Sequence, residues 1–186
     1  ATVRNDKGEY VVLTGNMTGA LLTEYILSQK KAKGTLPANG AVIKTIVSTE
    51  MIRPMCEAYG VELMDVLTGF KFIGEKIKGF EETGSHSYIF GFEESYGCLA
   101  GTYARDKDAV VATLLICEMA AYYKKQGMTL YDGLMALYEK YGYYREGVKS
   151  LTMKGLDGVE KIQKIMASFR AETPADFAGV AVEWAK

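Results

Sequence analysis

Histidine is all but missing from this chain, which has one, His86, and cysteine is scarce, with three. Cys56, Cys98 and Cys117 are odd in number, far apart and without C-x-x-C spacing, so neither a disulfide framework nor a zinc site is indicated and reduced thiols are expected. Charge of either sign is not in excess: 22 Lys and Arg against 23 Asp and Glu give a formal net charge of -1. No global field then recruits nucleic acid or an anionic membrane, and an anionic ligand has to be recognised locally. Long apolar runs are lacking as well. The longest, Ala109 to Cys117, is too short to span a bilayer, and the polar stretch Ala1 to Tyr10 does not resemble a signal peptide. A cytoplasmic protein with neither nucleic-acid nor membrane partners is expected. The sequence also has no P-loop, no G-x-G-x-x-G between strand and helix, no H-E-x-x-H, no nucleophile elbow, and no internal repeat or low-complexity tract.

What is present is globular in composition, 48% hydrophobic and 24% charged over 186 residues, enough for one ordinary domain or for one domain with pieces of its neighbours attached. Asn5-Asp6-Lys7-Gly8 reads as a hairpin turn between Ala1–Arg4 and Tyr10–Leu13. A chain that begins inside a hairpin strand is expected to be cut from something longer. After the loop Thr14-Gly15-Asn16, a helix capped by Asn16 or Thr18 is expected to bury Leu21, Leu22, Tyr25 and Ile26. Ala41 to Val47 has the β-branched pattern of a strand covered on both faces, and Ser48 or Thr49 caps a helix to Tyr59, with Pro54 fitting only near its first turn. Val61 to Leu67 is a second strand, Phe70 to Ile77 a helix, Gly79 to Ser85 a polar turn, and Ser87 to Phe92 a third strand.

Beyond a Gly-rich loop from Cys98 to Tyr103, Asp108 starts a helix expected to bury Val110, Val111, Leu114, Leu115, Met119 and Tyr122 and to stop at Gly127. Thr129 caps another, Leu130 to Tyr141. Tyr143 to Met153 reads as extended, Asp157 to Phe169 as helix ended before Pro174, and Val180 to Trp184 as a last strand. Tyr122, Tyr123, Tyr138, Tyr143 and Tyr144 are expected outside the core. Strand and helix alternating from 41 to 126 predict a three-layer α/β core.

The stretch for chemistry is Gly91-Phe92-Glu93-Glu94-Ser95-Tyr96-Gly97, because two carboxylates and a hydroxyl among glycines at the end of a buried strand are poor core material. A carboxylate accepts hydrogen bonds from two adjacent sugar hydroxyls at once. In extended backbone Glu93 and Ser95 share one face and Glu94 takes the other. The same residues are also compatible with a solvated turn. Arg105 and Lys107 precede a helix N-terminus, where the helix dipole disfavours cations; either they serve an anionic ligand or Arg105-Asp106-Lys107-Asp108 pairs with itself. Thr68-Gly69-Phe70-Lys71 opens a helix after a strand, a geometry in which backbone N–H groups hold an anion. Lys71 is either an added charge there or a surface lysine, and His86 lies in a polar turn.

These residues resemble a family. Gly91 to Gly97, with Thr68-Gly69-Phe70-Lys71-Phe72-Ile73-Gly74-Glu75-Lys76-Ile77 before it and Arg105-Asp106-Lys107-Asp108 after it, is similar to the third domain of the alpha-D-phosphohexomutases, over roughly Met17 to Tyr144. The resemblance implies an α/β/α domain with a small mixed sheet. It implies an isomerase of carbohydrate metabolism that moves phosphate between the 1 and 6 positions of a hexose through a bisphosphate. Glu93 and Ser95 would hold the sugar 3- and 4-hydroxyls, Lys107 and Arg105 would stabilise charge at the phosphoryl group, and Thr68 and Gly69 would shape the cleft wall.

It further implies that residues 1–16 end domain two, 17–145 form domain three, and 146–186 link to domain four. The family's T-A-S-H-N-P phosphoserine loop, D-x-D-x-D-R magnesium loop and R-x-S-G-T-E-P phosphate loop are not in this sequence. Mg2+ would therefore be held by residues outside this chain, no catalytic nucleophile lies within it, and the isolated piece is expected to be inactive. Its partners would be a hexose phosphate and the remaining domains. Phe92 between Gly91 and Glu93 suits a bacterial phosphoglucomutase branch, the E-E-S triplet leans toward glucose phosphates, and Phe70 stands where some members have a His. Phosphomannomutase and a non-catalytic sugar-phosphate-binding α/β module are the alternatives.

Overall fold

In the computed structural model, which describes residues 1–147, 150–177 and 179–183, the first turn is organised by Asn5. Its Oδ1 accepts from the amides of Lys7 (3.0 Å) and Glu9 (2.8 Å), which brings β1 (Thr2–Arg4) back against β2 (Tyr10–Val12), Val3 opposite Val11. The next helix, α1 (Gly15–Ala32), is capped by Thr14, whose Oγ1 accepts from Met17 N at 3.2 Å, and not by Asn16 or Thr18. Asn16 is committed elsewhere: its Oδ1 accepts from Thr49 N. Leu21, Leu22, Tyr25 and Ile26 are buried as the spacing required.

Four strands form the main sheet, in the order β4 (Glu62–Val66), β3 (Gly40–Thr45), β5 (Ser87–Phe92), β6 (Cys98–Ala100). β3 runs parallel to β4 and β5, and β6 is antiparallel to β5. The sheet is therefore mixed, and β3, flanked on both sides, is buried at every residue. A bulge between Ala41 and Val42 shifts the β3–β5 register, so Ile89 and Phe90 both join the cluster on the same face of the sheet.

On that face lie α1, α2 (Ile52–Tyr59), α4 (Ala109–Lys125) and α5 (Leu130–Tyr141), packed on Val42, Phe90 and Phe92. On the other lies α3 (Phe70–Thr83), whose Phe70, Ile73, Ile77 and Phe80 meet Ala41, Ile43, Val66 and Tyr88. The result is the expected three-layer α/β/α arrangement. The four-helix side is tied by Glu24, which accepts from the hydroxyls of Tyr59 (2.9 Å) and Tyr141 (2.8 Å) and from Lys140 Nζ (2.8 Å), joining α1, α2 and α5.

Several expectations are corrected. Gly79 to Ser85 is not a turn: α3 continues to Thr83 because Phe80 extends its buried stripe, and Gly84, in the left-handed conformation, ends it. Cys98 to Ala100 is a strand and not loop. α2 begins at Ile52, with Met51 and neither Ser48 nor Thr49 at its cap, which leaves Pro54 in the first turn. Within α4 only Met119 and Tyr123 are buried, while Val110 is 80% and Leu114 65% exposed. This helix is apolar all round, so its pattern could not select a face: Val110 lies on the side opposite Met119 at 100° per residue. Tyr123 is accordingly a core residue.

The residues above fall in the first of two units, Ala1–Arg145; the second is Glu146–Lys186. It contains α6 (Gly155–Ala171), which starts two residues before Asp157, and an antiparallel pair, β7 (Asp176–Phe177) with β8 (Val180–Ala181). Residues 143–147 and 150–153 form no regular element; Val148 and Lys149 of the expected extended segment, and Trp184 of the expected last strand, lie outside the described residues. No helix among the described residues is long and apolar enough to cross a membrane.

Candidate functional site

β5 and β6 are joined by the turn Glu93–Gly97, at the edge of the sheet where β3, β4 and β5 all end. The turn is closed by Glu93 N donating to Gly97 O at 2.8 Å. Tyr96 adopts φ 70, the only non-glycine positive φ among the described residues, a conformation tolerated mainly where the surroundings dictate it. Glu93 and Ser95 therefore do not share an extended strand face, as strict alternation required. They are separated by a reversal that puts Glu93 inside, 8% exposed, and Ser95 at the exposed tip.

Burying a carboxylate is unfavourable unless donors and positive charge surround it. Glu93 has both. Its Oε1 accepts from the main-chain N–H of Gly69 at 3.1 Å, at the N-terminus of α3. The anion held at this helix start is the protein's own side chain. On its other side runs Lys107. A Cβ on Gly97 would stand 2.4 Å from Lys107 Cδ and 3.0 Å from Glu93 Oε2, so the glycine leaves room for the lysine stem to cross the turn beside the carboxylate. Lys107 Nζ bonds Asp106 Oδ1 at 2.9 Å and lies 5.6 Å from the Phe70 ring centroid. The Asp106 bond outweighs an opposing desolvation and, with lesser help from the Asp106 and Glu93 charges, holds the Lys107 ammonium above its usual pKa.

The other expected residues divide. Thr68 is exposed and Gly69 half-buried on the flank of Glu93. Arg105 is not brought to Glu93: its guanidinium pairs with Glu81 and donates to the carbonyls of Thr102 (2.6 Å) and Ala104 (3.2 Å). Glu81 is about 16 Å along the helix axis from Phe70. Lys71 leans over the Phe72 ring at 4.9 Å. His86, at the opposite end of β5 from Glu93, meets Glu62 Oε2 at 2.8 Å.

Sequence reasoning missed a buried polar frame beneath the turn. Lys44 is 0% exposed and bonds Glu50 (3.0 Å), Asp65 (2.9 Å) and the Ser48 carbonyl (3.2 Å). The signal was available: one charged residue inside the apolar run Ala41 to Val47. Next to it, Thr45 Oγ1 donates to Glu94 Oε2 at 3.2 Å. Among the described residues no group of three or more His, Cys, Asp or Glu side chains could hold a metal ion.

Chemically, the arrangement offers a rigid carboxylate that accepts from neutral donors such as hydroxyls, with a lysine stem beside it whose ammonium, paired with Asp106, suits an anion. The sequence model described as "Phosphoglucomutase/phosphomannomutase, alpha/beta/alpha domain III" matches residues 14–141. Phosphoglucomutase of Staphylococcus aureus strain MRSA252 is 37% identical over 180 residues, covering 97% of this chain and 32% of that protein. The Staphylococcus aureus strain RF122 phosphoglucomutase is 37% identical over 176 residues, covering 95% of this chain and 31% of its own length. The chain thus spans about a third of the curated relatives it matches. A solved phosphoglucomutase/phosphomannomutase family protein from Burkholderia thailandensis shares the fold, with TM-score 0.55 and 17% identity over 98% of this chain and 33% of that one. The chain belongs to the phosphoglucomutase/phosphomannomutase family, whose α/β/α domain III it contains.

Proposed function

We propose that this chain supplies the sugar-recognition wall of a phosphoglucomutase, an enzyme interconverting hexose 1-phosphate and 6-phosphate through a bisphosphate intermediate. The observation that carries the reading is the buried Glu93 carboxylate, fixed by Gly69 N–H at 3.1 Å with the Lys107 stem against its turn. Glu93 accepts from one or two sugar hydroxyls, the 3- and 4-hydroxyls by family resemblance, and Ser95 adds a hydroxyl at the tip. Lys107 stabilises charge on the phosphoryl group in transit. Thr68 and Gly69 form the wall beside Glu93. Arg105, engaged with Glu81, contributes only if that pair opens when substrate and the other domains close in.

On this reading residues 1–16 finish the preceding domain, 17–145 are the sugar-binding domain and 146–186 lead into the next. The nucleophile and Mg2+ ligands belong to other parts of the enzyme, and the 186-residue piece alone does not turn over substrate. Orientation of bound sugar is worth several orders of magnitude in rate when a domain offers little else. The test is conversion of glucose 1-phosphate to glucose 6-phosphate by the complete enzyme and its Glu93→Gln variant. A loss of about a hundredfold in kcat/KM is expected. Unchanged turnover in the variant refutes the assignment of Glu93, and a wild type inactive on glucose 1-phosphate but active on mannose 1-phosphate moves the substrate to the mannose series.

A further inference from the structure

The turn carries a second carboxylate, Glu94, half-buried, whose side chain reaches Thr45 of β3. Its Oε2 accepts from Thr45 Oγ1 at 3.2 Å, and the same Thr45 oxygen lies 2.7 Å from Ser48 Oγ. Thr45 is 0% and Ser48 4% exposed, so these hydroxyls are shielded from bulk solvent. The proton positions follow from valence. An ionised carboxylate only accepts, and a threonine has one hydroxyl proton. Thr45 spends that proton on Glu94, so Ser48 must donate to Thr45. The chain runs in one direction, Ser48 O–H to Thr45 O–H to Glu94 carboxylate. Its far end is fixed by Lys44, whose Nζ donates to the Ser48 carbonyl at 3.2 Å from a fully buried position.

The main chain of the turn is seated independently. A Cβ on Gly15, the first residue of α1, would lie 1.9 Å from the Glu94 carbonyl oxygen and 2.9 Å from Tyr96 N. Any side chain at 15 would lift the turn off the helix. The backbone is thus gripped at Glu94 and Tyr96 by α1 while the Glu94 carboxylate is gripped by β3. This leaves Glu93 and Ser95, on either side of the anchored residue, as the groups free to address a ligand.

We propose that Thr45 is a positioning residue, which, with Ser48 behind it and Gly15 beneath the turn, holds Glu94 as an anchor and so sets the orientation in which Glu93 and Ser95 meet the sugar. The inference rests on the mutase reading for the identity of the ligand, and on the geometry alone for the anchoring.

The test compares Thr45→Val, which keeps the shape and removes the donor, with Thr45→Ser, which keeps the donor, in the complete enzyme. Two quantities are read: kcat/KM for glucose 1-phosphate, and hydrogen exchange of the amides of residues 93–97. Thr45→Val is expected to lower kcat/KM about tenfold or more, as for a lost hydrogen bond to a charged group, and to speed exchange across the turn. Thr45→Ser should stay within about twofold of wild type in both. Ser48→Ala should shift both readouts in the same direction as Thr45→Val, and it stands in if the valine variant does not fold. A merely structural role would lower the melting temperature and leave kcat/KM and turn exchange of the folded enzyme unchanged; that result overturns the proposal, as does a serine variant as impaired as the valine one. If the wild type does not convert glucose 1-phosphate, the mutase reading fails, while the exchange comparison still decides the anchoring.

Discussion

The main-chain N–H of Gly69 donates to Oε1 of Glu93 at 3.1 Å, so the start of α3 is satisfied by a carboxylate from the turn after β5, 24 residues later. Strand, turn and helix start are thereby locked to one another. A carboxylate already held by a dipole and flanked by a lysine reaches its ligand with little reorganisation left to do.

Gly97→Ala puts a methyl 2.4 Å from Lys107 Cδ. The flexible lysine moves and the backbone does not, so the melting temperature should change little. The lysine stem is displaced from beside Glu93 and carries the ammonium with it, and kcat/KM of the complete enzyme should fall about tenfold. Steady-state kinetics beside a thermal melt separate the two effects.

Lys44→Met leaves Glu50 and Asp65 without their buried cation. Breaking such a pair costs about 3 kcal/mol or more; Arg53, which also contacts both carboxylates, keeps the loss toward the lower figure. Urea unfolding of the variant and wild type measures it.

α5 starts on a capping box in which Thr129 Oγ1 accepts from Asp132 N and Asp132 Oδ2 accepts from Thr129 N and Oγ1. Thr129→Ala should destabilise the chain by about 1 kcal/mol. Those same bonds to Thr129 hold the Asp132 carboxyl below its usual pKa. Its contribution is therefore present above about pH 4 and lost as pH falls through the depressed value. Stability curves of wild type and Asp132→Asn should converge in that acid range and run apart above it.

Burial pushes the Cys56 thiol up to about 12 and the Cys98 thiol to about 11, whereas Cys117 is on the surface. At pH 8 a colorimetric thiol reagent should titrate one equivalent rapidly in the native chain and three in denaturant. Rapid reaction of two or three native thiols would contradict the packing of β6 and α2.

Much of this was legible in the sequence, for reasons that can be named. The Ala41–Val47 pattern locates β3 because a strand covered on both faces has no polar alternation, and Ser87–Phe92 is β5 to the residue. Glu93 stood out because an acid directly after such a strand needs a reason. β6 escaped because a three-residue strand, Cys98–Ala100, set among glycines has too little pattern to register and exists only by pairing with β5. Gly79 reads as a break because a half-buried glycine with open space around it cannot be told from a turn until Phe80 is seen to be buried. The Arg105–Glu81 pair and the Thr45–Glu94 bond link residues 24 and 49 positions apart. Such pairs carry no periodic signal and arise from the fold itself.

The central claim, that Glu93 grips the sugar's hydroxyls, is tested most directly by a cycle on the complete enzyme. kcat/KM is measured for wild type and Glu93→Gln on glucose 1-phosphate and on its 3-deoxy and 4-deoxy analogues. If Glu93 accepts from one of those hydroxyls, wild type should lose about a hundredfold on removing it, and the variant much less, since its partner is already weakened. Equal losses in wild type and variant for both analogues would show that the carboxylate and the hydroxyls do not meet, and would contradict the account.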